Sequence, residues 1–371
     1  MRLLKFNGLG FFILLLVACT AVDASRNTTL EQDVTSLMKT VCTETGTPGV
    51  SVYIKSPKYG DHSLVWGAAD LVTQTPVANG QLFRIGSLTK SFTAAAVLKL
   101  AERGLLDLDA PISSYLGLVN GYAPLAKISV RQLMNMNSGL AQYLTVPFLA
   151  GTVLPNPEQG YRPDELLAVS FHSAPELLFP PGSDFLYTNT NYILLGMLIE
   201  AVSGRSYQDY IQETFITPLG LKDTHVMVDG TTPAGLVQGY YDFDEDGSYE
   251  NWTKMNMSYV WSAGCIVSTA RDVAAWMDAL AKGELVAKEF WPDLYQGQAT
   301  AEGMAYGAGI LINGNLVGHN GTVIGYHADA WHDSQTDATV AVLSNTNAPL
   351  LADDRDPTRE IAEGILALLK E

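Results

Sequence analysis

The tetrapeptide Ser87-Leu88-Thr89-Lys90 sets a hydroxyl three residues ahead of an amine, and on a helix that spacing puts both on one face. There a serine can act as nucleophile and a lysine as the base that takes its proton. The same spacing recurs at Ser36-Leu37-Met38-Lys39, so spacing alone does not choose between them. The surroundings do. Ser87 follows a short extended run, Leu82–Ile85, and a glycine, and it opens the helical stretch SLTKSFTAAAVLKLAERG, which stops at Gly104. A helix start offers unpaired backbone N–H groups and the positive end of the dipole. With partial burial, that positive potential lowers a lysine pKa and frees the amine to act as a base. Ser36 and Lys39 instead lie within a run whose Leu30, Val34, Leu37, Met38 and Val41 form one apolar stripe, and they read as its polar face.

Two further groups could complete a site. Tyr187-Thr188-Asn189 lies in PPGSDFLYTNTNYILLG, a loop entering an apolar helix; its competitor Tyr249-Glu250-Asn251 follows DFDEDGS, a polar hairpin turn. Gly318-His319-Asn320-Gly321-Thr322 falls on a strand, where glycine lets a substrate lie along the strand edge. His327, Asp329, His332 and Asp333 cluster just beyond, but no Cys or Glu completes a metal spacing, and no metal is expected. Asp242 opens a calcium-like run whose twelfth position is Thr253 rather than Glu, so a solvated hairpin is expected there. Trp261 and Tyr326 read as core or cleft wall. No Gly-x-Ser-x-Gly elbow occurs.

Periodicity supplies the frame that must hold these groups. Strand-like runs come early, at Val50–Lys55 and Ser63–Trp66, after a helix over Leu30–Cys42. Helices and loops then dominate, with helices near Val130–Met136, Asp164–Phe171, Thr190–Val202 and Tyr207–Phe215. Strands return at Gly307–Ile312, Leu316–His319, Val323–Ala330 and Ala338–Ser344, and Asp356-Pro357 starts a closing helix. The pattern predicts one α/β domain from both ends of the chain, 29–86 and 263–371, with a mainly helical domain, 87–262, inserted. A cleft between two such parts commonly holds the active site.

The ends and the charge bound the setting. Arg2 and Lys5 precede the apolar run Phe11–Ala18, too short to span a bilayer and shaped like an export signal. Leu16-Val17-Ala18-Cys19 resembles a lipobox, giving a lipoprotein signal peptide over 1–19, lipidation at Cys19 and a tether over 20–28; cleavage after Ala24 competes with it. The protein is expected outside the cytoplasm, in the envelope or periplasm. A formal net charge of −17 argues against nucleic acid and anionic membrane surfaces as partners. Membrane contact is therefore expected only through the lipid. Cys42 and Cys265 are open to pairing or to remaining free.

FRIGSLTKSF, PPGSDFLYTNTNYILLG and GHNGTVIGY, in that order, resemble the three motif regions of the serine hydrolases related to class C β-lactamases. That group includes penicillin-binding DD-peptidases and carboxylesterases. VRQLMNMNSGL, PLGLKDT and SAGCIVSTARD are lesser matches, so the resemblance runs from about Leu30 to the end. It implies a β-lactamase/transpeptidase-like fold: an antiparallel sheet flanked by the N- and C-terminal helices, with the helical insertion. It implies hydrolysis through an acyl-enzyme on an amide or ester of a small or peptidoglycan-like substrate, without cofactor. Ser87 would be nucleophile, Lys90 base and Tyr187 proton shuttle. Asn189, His319, Asn320, Gly321 and Thr322 would bind substrate, with the N–H groups of Ser87 and Thr322 as oxyanion hole. His319-Asn320-Gly321 is similar to the His-x-Gly of the D-alanyl-D-alanine carboxypeptidase branch, which has threonine where Asn320 stands. That branch also uses an upstream arginine for the substrate carboxylate. No lysine or arginine lies between Lys288 and Arg355, so such a group must come from elsewhere, or the substrate lacks a terminal carboxylate. A carboxylesterase and a catalytically idle binding lipoprotein are the alternatives.

Overall fold

The computed structural model describes residues 29–243, 246–300, 303–347 and 355–371. The expected signal peptide, the expected tether and Cys19 lie outside them. A nine-stranded antiparallel sheet organises the chain. Its strands are β1 (Gly49–Ser56), β2 (Gly60–Asp70), β3 (Thr75–Pro76), β4 (Gln298–Ala299), β5 (Ala305–Tyr306), β6 (Leu311–Asn313), β7 (Leu316–Val323), β8 (Tyr326–Asp333) and β9 (Ala338–Ser344). They lie in the order β3-β2-β1-β9-β8-β7-β6-β5-β4. The two ends of the chain meet at the centre, where Val52 stands opposite Val342. β9, ATVAVLS, is buried along its whole length, which is why it reads as a continuous apolar run rather than an alternating one.

Each face of the sheet carries its own core. Val50, Val52 and Ile54 alternate to one side, where they meet Val34 and Met38 of helix α1 (29–45) and Ile361 and Ile365 of the closing helix. Tyr53 points the other way, as the two-residue period of a strand requires. That second face packs against α4 (Ala270–Ala281), whose core α2 (Thr89–Glu102) and α3 (Asn189–Ser203) share, and Phe92 stacks on Trp276 with ring centres 3.6 Å apart. The closing helix, α5 (Pro357–Leu368), starts as its sequence predicts: Asp356 accepts from the Arg359 N–H at 3.1 Å and proline takes the first turn. α2 is buried on nearly every side over Thr89–Leu98, because α3 covers the flank that the sheet leaves open.

Three expected elements differ. Of the expected run Gly307–Ile312 only Leu311 and Ile312 are strand, in β6, since Gly309, at φ +70°, turns the chain onto the carbonyl of Lys90; a Cβ there would sit 2.6 Å from that oxygen. β7 runs on through Asn320-Gly321 to Val323, and the chain reverses instead at Ile324-Gly325. Asn-Gly is a strong turn former, but here each of its residues is paired across the ladder, with Asp329 and Ala328. The helix expected over Tyr207–Phe215 is α-helical only to Ile211 and continues as one wide π-type turn, Gln212–Ile216. Cys42 and Cys265 are free and buried, and they belong to opposite cores.

Candidate active site

Ser87 sits in a short 3-10 turn, Gly86–Leu88, that feeds directly into α2. Gly86 makes the turn possible with φ +52°, and it lies directly against β7: a Cβ on it would be 2.7 Å from the Thr322 nitrogen. A Cβ on Gly321 would be 2.9 Å from the Ser87 nitrogen and would overlap the Ile85 carbonyl. These two glycines thus bring the backbone amides of Ser87 and Thr322 into one neighbourhood with no side chain between them. Arg84, buried just upstream, donates through Nη2 to the carbonyls of Thr253 and Met255, 2.8 and 2.7 Å, and fixes the approach to the turn.

Lys90 lies one turn on, fully buried, with Nζ 2.7 Å from Ser87 Oγ. It also donates to the carbonyl of Ala263 at 2.9 Å, and no carboxylate is among its ion-pair partners in the described residues. Burial pushes its pKa well below the ordinary lysine value. Nζ stands 4.9 Å from the ring centre of Tyr187. The Tyr187 hydroxyl is raised by burial, an effect its hydrogen bond with Ser87 partly offsets. Ser87, Lys90 and Tyr187 therefore form one contiguous group.

His319 adjoins it, with its ring 6.3 Å from that of Tyr187. Its Nδ1 contacts the Asn320 carbonyl, a partner that requires the proton on Nδ1. Nε2 is then an acceptor, 3.3 Å from the Tyr306 hydroxyl. Burial first, and the Lys90 charge second, lower its pKa to about 3, so the imidazole is neutral. A cavity of about 390 Å³ opens beside this group, walled by Phe185, Tyr187, Tyr306, His319, Asn320 and Trp331. Ser87, Asn189 and Thr322 are not in its lining; Tyr187 and His319 connect it to them. Asn189 begins α3, its N–H donating to Gln142 Oε1 at 3.2 Å.

The decoys separate cleanly in space. Ser36 and Lys39 are exposed on α1, and Tyr249 donates to the Gly46 carbonyl near the far end of that helix. Trp261 and Tyr326 are buried core residues; Tyr326 donates to the Val237 carbonyl at 2.7 Å. The lesser motifs support the site without lining the cavity: Ser129 and Gln132 form a capping box, Ala263 anchors Lys90, and Thr224 reaches Asp272 at 3.1 Å. Spacing singled out Asp329 of β8 only within a His–Asp cluster and gave no sign of Arg359 of α5, yet both line the cavity. Arg359, which follows the cation-free 289–354 stretch, is held by Glu363 at 3.1 Å.

The family model described as Beta-lactamase matches residues 30–364. The D-aminopeptidase of Brucella anthropi is 29% identical over 283 residues, covering 72% of this chain and 50% of the relative. Penicillin-binding protein 4* of Bacillus subtilis (strain 168) is 24% identical over 281 residues, covering 70% and 60%. The chain thus spans about half the length of the curated D-aminopeptidases it matches. The D-amino acid amidase from Ochrobactrum anthropi SV3, solved with D-phenylalanine, superposes with a TM-score of 0.80 at 26% identity, covering 92% of this chain and 99% of that one. The penicillin binding protein from Bacillus halodurans shares the fold, with a TM-score of 0.75 at 24% identity over 89% of this chain and 98% of that one.

Proposed function

This chain belongs to the Beta-lactamase family, and on that premise we propose that it is a serine hydrolase that cleaves amide bonds of small substrates through an acyl-enzyme on Ser87. The observation that carries the reading is the 2.7 Å contact between Ser87 Oγ and a fully buried lysine amine. A neutral amine at that distance accepts the Ser87 proton as Oγ attacks the carbonyl carbon. The N–H groups of Ser87 and Thr322 stabilise the oxyanion that forms. Tyr187 keeps its own proton because burial raises its pKa, so it can pass one from Lys90 to the departing nitrogen. Water then attacks the ester, with the same groups returning the proton to Ser87. Asn189 and Asn320 hold the amide groups of the substrate, and the neutral imidazole of His319 braces the wall beside Tyr187.

The substrate class we favour is a D-amino-acid amide or a short peptide containing a D-residue. Relatives named D-aminopeptidase and D-amino acid amidase support it, as does an aromatic-walled cavity of a size to take one side chain. A terminal carboxylate would have to be met by Arg359, which Glu363 already holds; this favours amidase over carboxypeptidase action. The N-terminal run ending at Cys19 supports an envelope location with a lipid anchor.

D- and L-phenylalanine amide hydrolysis, compared between wild type and Ser87→Ala, tests the reading. The D-amide should turn over, the L-amide at least tenfold more slowly, and Ser87→Ala should lose roughly 10³-fold or more in kcat. A fluorescent penicillin that labels Ser87 stably, without amide turnover, would move the assignment to a penicillin-binding peptidase. Turnover of p-nitrophenyl acetate alone would move it to an esterase. Full activity in Ser87→Ala on every substrate would overturn the mechanism.

A further inference from the structure

Beyond the hydrolytic site, three ligand-capable side chains converge where α5 begins on the outer face of the sheet. His327 and Asp329 stand two apart on β8, so both point to that face, and Asp356 caps α5 above them. One ligand atom from each lies within 4.8 Å of the other two. His327 Nε2 is 3.4 Å from Asp356 Oδ2. Two donors held about 2.0–2.1 Å from a tetrahedral zinc ion are separated by roughly 3.4 Å.

Two of these atoms lack what burial normally demands. Asp329 is 1% exposed, and its Oδ2 has no hydrogen-bond partner; the Nε2 of His327 is buried and also lacks one. Asp329 Oδ1, by contrast, accepts from the Trp331 indole, which fixes the carboxyl and leaves Oδ2 as its free oxygen. Asp356 divides its work likewise: Oδ1 caps the helix while Oδ2 faces His327. Burial, Asp356 and Glu363 oppose a charge on Asp329, and the Trp331 hydrogen bond and the Arg359 charge favour it. A second His–Asp–Asp cluster supplies the contrast. Asp278, beside His332 and Asp337, pairs with Lys55 and Lys282, and His332 Nδ1 meets Thr339 at 2.9 Å. That cluster is tied to two lysines by ion pairs; at the first, Arg359 acts on Asp329 and Arg355 lines the cavity shared by His327 and Asp356.

We propose that His327 Nε2, Asp329 Oδ2 and Asp356 Oδ2 bind a divalent metal ion of the zinc class, clamping the start of α5 onto β8. One nitrogen and two carboxylate oxygens suit a borderline ion, with water completing the shell. The positive end of α5 opposes a cation with about half a charge, against two negative charges on the ligands. A cavity of about 80 Å³ lined by His327 and Asp356 gives the ion its way in. Because Asp329 also lines the larger cavity, occupancy fixes the charge on that wall.

Untagged, chelator-treated protein titrated with Zn²⁺ by calorimetry should bind one equivalent. Co²⁺ in its place should give the intense visible bands of a four-coordinate site. His327→Gln and Asp356→Asn, the latter keeping the helix cap, should each weaken Zn²⁺ binding at least tenfold, while His172→Gln, exposed on another helix, leaves it unchanged. Should the two variants fail to fold, the Co²⁺ bands of the wild type decide, their absence counting against the site. No binding by wild type at 0.1 mM Zn²⁺, or binding indifferent to both variants, overturns the proposal. Because the readout is metal binding, its failure leaves the hydrolase reading untouched.

Discussion

Burial, which would fit Lys90 for its proposed role as base, comes at the expense of stability. Its folded pKa lies below that of the unfolded chain, so the unfolded state binds the proton more readily across the intervening range. Whatever stability this group contributes is full above the unfolded value near 10.5 and falls away as pH drops toward the folded value. At neutral pH the buried amine is therefore a cost. Lys90→Met should abolish turnover and yet raise stability by roughly 0.5–2 kcal/mol, read as a higher Tm. The same depression sets the pH dependence of kcat/KM. Activity should fall on the acid side as Lys90 takes a proton, at a pH well under the ordinary lysine value. His319 should add no inflection near 6.5, because burial and the Lys90 charge lower its pKa to about 3. A histidine-like limb at 6.5 that disappears in His319→Gln would contradict this.

Between elements, the decisive joint is the one between the Ser87 turn and β7. It is made of backbone on both sides, and glycine is the residue that allows it. Gly321→Ala places a methyl against the Ile85 carbonyl and Ser87 nitrogen, both main-chain atoms that cannot rotate away. We expect a loss of about 1–3 kcal/mol in stability and at least a hundredfold loss in kcat, because the two proposed oxyanion donors move apart. KM should change less than kcat, which a steady-state comparison with wild type would show. Two non-glycine residues hold positive φ near the same site, Met136 at 58° and Trp261 at 33°. Met136 lies beneath the Tyr187 segment, its carbonyl accepting from Leu186 N–H at 2.9 Å and its sulfur from Thr188 N–H at 3.4 Å. Trp261 precedes the Ala263 carbonyl that anchors Lys90. Strain of this kind persists where surrounding contacts over-determine the backbone.

Across the whole molecule, the sheet separates two interiors, with Cys42 in one and Cys265 in the other. Burial pushes both thiols up to about 12, so neither is a ready nucleophile or metal ligand. Both should react with a thiol reagent only after denaturation, and the Tm of the native chain should not change with reductant. The outer interior depends on α1 and α5 together. Ile365→Ala, at a fully buried α5 position, should therefore cost about 2–5 kcal/mol in a denaturant melt while leaving Ser87 acylation intact.

The sequence by itself determined the elements and the chemical types. Ser87 and Lys90 were legible because a strand, a glycine and a helix start surround them, and α5 because Asp356-Pro357 is a cap with a local cause. Tyr187 and His319 were legible as motifs, while their meeting with Ser87 was not, since it depends on contacts between segments far apart in the chain. The tertiary structure alone decided that Asn320-Gly321 stays in a strand, because ladder pairing with Asp329 and Ala328 outweighs the local preference of Asn-Gly for a turn. It alone broke the expected Gly307–Ile312 strand, where Gly309 must clear the Lys90 carbonyl. It also brought Arg359 and Asp329 to the cavity and set Asp356 over His327. No spacing rule reaches across β8 and α5, because their proximity comes from packing on the sheet and not from any local preference of the chain.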